Sequence, residues 1–317
     1  MKALLHYRAS ALLQQRLRAA MPPWVEVVTI DEGDEQALLR EIANTQVLLH
    51  VLKPVTRAMM QAAPQLRLIQ KIGVGVNTID LRAASERGIQ VANMPGSNSQ
   101  AVCEMTLALM LAVLRKLLPF DAATRRGAGW SFAPDATDAV GEIGGKTVGL
   151  VGYGDVARRV ALVCKALGAR VVFTARTAQS DANAQAVSLT ELLSQSDIVS
   201  LHVPLTDATR RIIDAAAIAR MKPGAMLVNT ARGALVDEAA LLAALQSGHL
   251  RGAGLDVFDQ EPAAADNPLF QLPNVVVMPH LAWLTAETLE RSFGVAVENC
   301  TRLRDGVALR HAIALPG

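Results

Sequence analysis

Residues 147–168, TVGLVGYGDVARRVALVCKALG, carry an unbroken apolar segment into Gly152-x-Gly154-x-x-Ala157 and then into an amphipathic helical pattern. Val156, Val160, Val163, Cys164 and Leu167 fall on one helical stripe, and Gly168 lies where a glycine would stop the helix. Strand, glycine turn and helix in that order build the first crossover of a parallel sheet. Glycine lets the backbone approach a pyrophosphate, whose charge is favoured at a helix N-terminus. A glycine turn that binds nothing has the same local string, so the weight rests on what surrounds it.

The surroundings repeat the pattern. LLHY near residue 4, VEVVTI at 25–30, VLLHVL at 47–52, RLIQKI at 67–72 and IQVAN at 89–93 alternate with amphipathic stretches. So do TVGLVG at 147, RVVFTA at 170, DIVSLHV at 197, AMLVN at 225, GAGLDV at 252 and VVVM at 275. Continuously apolar runs are expected of parallel strands buried on both faces. A chain of 317 residues is long enough for two domains. The predicted fold is α/β, with two doubly wound parallel-sheet domains, one flavodoxin-like and one Rossmann-like, and a cleft between them. Residues 1–98 plus 286–317 form the expected substrate domain, and 99–285 the nucleotide-binding domain. Between the two halves, Ser97 stands three residues before Gln100, a capping-box spacing. One long helix is predicted from there to Pro119, followed by a loop over 121–145 that carries Trp130.

Composition narrows the partner. Thirty-one Lys and Arg against 29 Asp and Glu leave a net charge of +2, too faint to point to nucleic acid or an anionic membrane. A small molecule is the expected partner. Cys103, Cys164 and Cys300 match neither a disulfide framework nor the spacing of a zinc site, so no metal is expected and a reducing compartment fits. The N-terminus reads as a strand and a helix rather than a leader, and no eighteen-residue apolar stretch occurs. A cytoplasmic location is expected.

The second strand of the nucleotide-binding half, RVVFTA, ends at Ala175, where a carboxylate would hold the ribose 2′-hydroxyl of NAD. Arg176 and Thr177 follow, and a guanidinium there suits a 2′-phosphate. NADP is therefore preferred, with NAD possible. Arg176 stacked on an adenine, or simply solvated, is the plainer alternative.

Three polar residues follow apolar runs in the later half: Arg232 in VNTARGALVDE, Glu261 in LDVFDQEP and His280 in VVVMPHLAW. Taken with HVPLT at 202–206, these strings resemble the D-isomer-specific 2-hydroxyacid dehydrogenases over almost the whole chain. The resemblance implies that Arg232, Glu261 and His280 form a catalytic triad. Chemistry supports each role. Reduction of a 2-oxo acid needs a held carboxylate and polarised carbonyl, which a permanently charged guanidinium supplies. It needs a proton for the developing alkoxide, which an imidazole delivers, and a carboxylate on the other ring nitrogen would fix the tautomer.

The resemblance further implies that Tyr153, Asp155 and Val156 follow the pyrophosphate turn, and that His202, Val203, Pro204, Thr230 and Ala231 line the cofactor. It places Asp256 near the nicotinamide carboxamide. Val74 and Gly75, in KIGVGVNTID, would offer amides to the substrate carboxylate. Trp283, where many relatives carry glycine, would line the substrate pocket together with Arg232 and His280, with a structural contact of the indole as the alternative. PHLAW with Arg176 looks like the glyoxylate and hydroxypyruvate reductase branch, and the resemblance also implies a homodimer built on the helix from residue 99. Phosphite oxidation on the same fold, and a nucleotide-sensing interaction protein without turnover, are the alternatives.

Overall fold

The computed structural model describes residues 1–131, 140–177 and 180–316. It contains two compact units, Met1–Asn98 joined by Leu284–Gly317, and Ser99–Trp283.

In the first unit, β1 (Lys2–His6), β2 (Glu26–Ile30), β3 (Val47–His50), β4 (Leu68–Lys71) and β5 (Gln90–Ala92) form one parallel sheet in the order β2-β1-β3-β4-β5. That is the flavodoxin-like order, with its reversal between β1 and β3. Four helices fill the crossovers: α1 (Ala11–Ala20), α2 (Glu35–Ile42), α3 (Arg57–Gln61) and α4 (Leu81–Glu86). Ser10, Asp34, Thr56 and Asp80 cap them, each side chain accepting the amide three residues on. Capping satisfies a donor that the helix itself cannot. The C-terminal helix (Ala286–Asp305) belongs to this unit through a buried polar tie. Asn299 Nδ2 donates to Gln70 Oε1 at 2.6 Å, and Asn299 Oδ1 accepts from the Arg310 amide at 2.7 Å.

The second unit holds β6 (Thr147–Val151), β7 (Arg170–Thr174), β8 (Gln185–Ala186), β9 (Ile198–Leu201), β10 (Ala225–Asn229), β11 (Leu250–Leu255) and β12 (Val275–Val277). Their order, β12-β11-β10-β9-β6-β7-β8, is the Rossmann order with one added strand. Only the two-residue β8 lies outside the apolar runs. Successive side chains enter opposite cores. Val151, Leu201, Leu227 and Leu255 pack on one face, and Leu150, Ile198, Met226 and Val228 on the other. Helices α5 (Ser99–Leu114), α6 (Leu117–Arg125), α7 (Asp155–Ala166), α8 (Leu189–Gln195), α9 (Ala215–Arg220) and α10 (Glu238–Gln246) complete the unit.

Two local expectations are corrected. The helix from residue 99 breaks at Lys116, whose φ of +47° ends α5, and a second helix runs through Pro119 into the stretch read as loop. Proline is accepted there because it stands in the first turn of α6, where its missing N–H has no partner to lose. Ser97 does not form the capping box. Its hydroxyl donates to the Met94 carbonyl at 2.8 Å, and α5 starts at Ser99. The expected loop is otherwise described only in part, since residues 132–139 lie outside the described residues. No helix among the described residues is long and apolar enough to cross a membrane.

At the carboxyl edge of the first sheet, His6, His50 and Lys71 stand in register, all buried. Burial, reinforced by the Lys71 charge, pushes the His50 imidazole down to about 3. An unfolded histidine takes up its proton near pH 6.5, so the unfolded state binds more protons between that pH and about 3, and stability falls as pH drops through this window. At pH 5 the loss from His50 is about 2 kcal/mol. The unfolding free energy should therefore fall less between pH 7.5 and 5 in His50→Gln than in wild type. Equal losses in the two proteins would show that His50 is not the acid-sensitive group.

Candidate active site

The residues singled out in the second unit emerge at one edge because every strand of its sheet is parallel. Gly152 follows β6 and His202 follows β9, the two strands between which the order reverses. A ligand crevice opens at such a reversal. Gly152 has φ +96°, and a Cβ there would lie 2.7 Å from the His202 carbonyl oxygen and 2.8 Å from Val203 Cγ1. Only glycine lets the turn after β6 lie against the start of the loop after β9. Gly154 differs: a Cβ there would meet nothing within 4 Å, and it begins α7 without a side-chain cap. The first amides of α7 thus lack an internal acceptor on the side of the turn that is open, which suits a pyrophosphate. Asp155 is exposed in the first turn, and Arg159 stands 3.5 Å away to balance its charge. Val156 is half-buried, and Ala157 is buried where the helix meets the sheet. Gly168 ends the helix as expected, with a φ of +86°.

Tyr153 turns inward. Its ring stacks on Phe173 with centroids 3.7 Å apart, and the Arg158 guanidinium lies over it at 4.8 Å. Only its backbone remains available to the turn. Arg176 and Thr177 are exposed just beyond β7, and Arg176 has no hydrogen-bond or ion-pair partner among the described residues. Ala175 brings no carboxylate to this strand end.

His202 is half-buried, with Nε2 2.9 Å from Ser200 Oγ, and burial lowers its imidazole to about 4. It is neutral at physiological pH and suits packing better than proton transfer. Pro204 is exposed and Val203 half-buried beside it. Beyond β10, the Thr230 hydroxyl lies 2.9 Å from that of Thr106, a fully buried residue of α5. Asn229 shapes the turn that follows, accepting from the Ala231 amide at 3.0 Å and donating to the Arg232 carbonyl at 2.8 Å.

Arg232 enters a short 3-10 turn, Gly233–Leu235, whose first residue lies directly on the chain after β11. A Cβ on Gly233 would fall 1.8 Å from the Phe258 carbonyl carbon. Glycine here is what lets the loop carrying Arg232 close on the loop carrying Glu261. The guanidinium donates to the Ala231 carbonyl at 2.6 Å. Burial pushes it down from its usual range, and the Glu261 charge opposes that.

Glu261 and His280 are joined directly, Nδ1 to Oε2, at 2.6 Å. The other carboxylate oxygen of Glu261 accepts from the Phe258 amide at 2.9 Å. Burial disfavours the Glu261 charge. The hydrogen bond and charge of His280, the Phe258 amide and Arg232 outweigh it and hold the carboxyl below the ordinary range. With Nδ1 engaged, His280 Nε2 has no partner among the described residues, and the side chain keeps 19% exposure, enough for that nitrogen to meet a substrate. The three side chains expected to act together therefore form one electrostatically linked group.

Asp256, by contrast, is committed within the protein. Oδ1 accepts from the Leu281 amide at 2.8 Å and Oδ2 from Ala282 at 2.9 Å. Trp283 is buried at 7% exposure, and its indole donates to the His280 carbonyl at 3.0 Å. Both contacts bear on the His280 loop. Val74 and Gly75 lie in the first unit, in the turn after β4. Val74 is exposed at 43%, and its carbonyl accepts from Asn93 Nδ2. Sequence reasoning missed Asn229, Gly233 and Thr106. The first two stand inside the NTARG string, where an Asx turn and a close backbone approach are the available signals. Thr106 left none, because its partner is 124 residues away. No group of three His, Cys, Asp or Glu among the described residues forms a metal site.

A Rossmann-ordered sheet, with an open glycine turn at its reversal and a linked Arg, Glu and His along the same edge, defines a dinucleotide-binding unit with acid/base groups beside it. Residues 107–282 match the model for "D-isomer specific 2-hydroxyacid dehydrogenase, NAD binding domain", and the chain belongs to that family. It is 40% identical to D-3-phosphoglycerate dehydrogenase of Mycobacterium leprae over 296 residues, which cover 92% of this chain and 55% of that protein. The chain thus spans about half the length of that relative. It is 36% identical to glyoxylate reductase of Korarchaeum cryptofilum over 278 residues, 86% of this chain and 83% of that one. Among solved structures, the TT0316 protein of Thermus thermophilus superposes with a TM-score of 0.89 at 38% identity, covering 99% of this chain and 100% of that one.

Proposed function

We propose that this protein reduces small 2-oxo acids, glyoxylate and hydroxypyruvate foremost, to 2-hydroxy acids, with NADPH preferred over NADH. The observation that carries the proposal is the His280–Glu261 contact at 2.6 Å with the charge of Arg232 acting on the same carboxylate. A bound reduced nicotinamide supplies the hydride. The half-buried Arg232 guanidinium holds the substrate carboxylate and draws electron density onto the carbonyl oxygen, an effect that grows as water is excluded. His280 Nε2 gives its proton to that oxygen as C2 gains the hydride, and takes it back in oxidation. Glu261 keeps the proton-bearing tautomer and the ring plane fixed. The backbones of Gly152, Tyr153, Gly154, Asp155 and Val156, with His202, Val203, Pro204, Thr230 and Ala231, are assigned to the cofactor.

The preference for glyoxylate and hydroxypyruvate rests on the PHLAW string and on the glyoxylate reductase relative, which this chain matches over most of both lengths. D-3-phosphoglycerate is the second reading, favoured by the 40% identity to a dehydrogenase of that name. Three free, buried cysteines suit a reducing cytoplasm. Exposed Leu111, Leu117 and Leu118 on α5 and α6 suit a homodimer, so sedimentation should give twice the chain mass, and a monomer at micromolar concentration would remove that assignment.

Turnover of a panel of 2-oxo acids, with D-3-phosphoglycerate assayed in the oxidative direction, tests the substrate. His280→Ala should lower kcat by on the order of 100-fold or more. Near-wild-type turnover in that variant would refute its role as acid and base. Arg176→Ala tests the cofactor. Loss of a charge-assisted contact to the 2′-phosphate should cut kcat/KM for NADPH about tenfold while NADH changes little. Equal losses with both cofactors, or a wild type that prefers NADH, would overturn the NADP assignment.

A further inference from the structure

His280 holds a left-handed backbone, φ +56°, which a residue with a side chain seldom adopts without support. Here the support is complete. The His280 amide donates to the Asp256 carbonyl at 2.7 Å, and the next two amides donate to the two carboxylate oxygens of the same aspartate. The His280 carbonyl accepts from the indole nitrogen of Trp283. Asp256 is 1% exposed and Trp283 7%, so neither side chain offers its polar atoms to solvent. An indole has a single donor, and a buried one must place it. Trp283 places it on the residue that carries the acid/base nitrogen.

The left-handed turn has a chemical result. It points Nδ1 at Glu261 and leaves Nε2 without a partner among the described residues. We propose that Trp283 is a positioning residue: its indole N–H, acting with the Asp256 carboxylate, locks the His280 backbone in the one conformation that pairs Nδ1 with Glu261. The inference rests on His280 being the acid/base group. It differs from a pocket-lining role for Trp283, which would act on substrate affinity and on the size of acid accepted. A positioning residue acts on kcat, and only while His280 is present to be positioned.

Trp283→Phe keeps the ring and removes the donor. kcat for the best 2-oxo acid should fall about tenfold, with KM for the acid and for NADPH within about twofold of wild type and the thermal midpoint little changed. In the His280→Ala background the same substitution should cost less than about twofold, because the residue it serves is gone. In 15N-histidine NMR, the Nδ1 proton signal assigned by its absence in His280→Ala should shift or broaden in Trp283→Phe. An undiminished kcat, a raised KM at unchanged kcat, or an equal loss in the His280→Ala background would each overturn the proposal. If the wild type reduces no 2-oxo acid at all, the functional reading fails. The histidine signal then decides separately: an altered signal supports the positioning contact, and an identical one overturns it.

Discussion

Burial of a parallel sheet on both faces governs the rest of the second unit. β6, β7, β9 and β10 give alternate apolar side chains to two cores, while β11 gives Leu250, Ala253 and Leu255 to one of them and sets Gly252 and Gly254 against Val113 and Leu109 of α5, so few polar side chains emerge along these strands. Parallel strands all end on the same side. Polar residues that follow β6, β9, β10, β11 and β12 in sequence are therefore brought to a single edge, although more than a hundred residues separate the first from the last. Within that edge, two glycines decide how tightly the loops close. Gly152 admits the His202 carbonyl, and Gly233 admits the Phe258 peptide.

The two histidines on this edge show how the surroundings divide roles. His202 has a hydroxyl for a neighbour, Ser200, and burial keeps it neutral far below physiological pH. His280 has a carboxylate for a neighbour and a ring still partly exposed. Glu261 in turn is partly desolvated, and an imidazole, an amide and a guanidinium together outweigh that and favour its charge. Removing any member would leave the charges of the others less well matched, an effect that solvent tempers because the Glu261 side chain keeps 33% exposure. The three residues are thus one unit electrostatically.

Much of this was legible in the residues. Continuous apolar runs located every strand but the two-residue β8, because burial on both faces leaves a signal that needs no partner to be read. Gly168 and the stripe from Val156 to Leu167 located α7 for the same reason. The errors are local and physical. Pro119 was read as a helix end, yet a first-turn proline loses no hydrogen bond, and the break comes from Lys116 instead. Ser97 had the spacing of a capping box, but the Met94 carbonyl was the nearer partner. Tyr153 stood beside the pyrophosphate turn in sequence, while Phe173 on the neighbouring strand drew its ring inward. Trp283 had two readings, a pocket wall and a structural contact, and its donor makes the second, on the His280 carbonyl.

The sequence by itself determined most of the elements, the parallel class of both sheets and the places of Arg232, Glu261 and His280 after apolar runs, since these depend on local pattern and on strings of unusual composition. Tertiary structure decided what each polar atom meets. That Glu261 takes Nδ1 of His280, that Asp256 takes the amides of Leu281 and Ala282, and that Trp283 takes a carbonyl all follow from strand order and loop closure. A hydrogen bond forms over about 3 Å and only along favourable directions. Linear spacing carries no information on that scale, so these contacts appear only once the strands are paired.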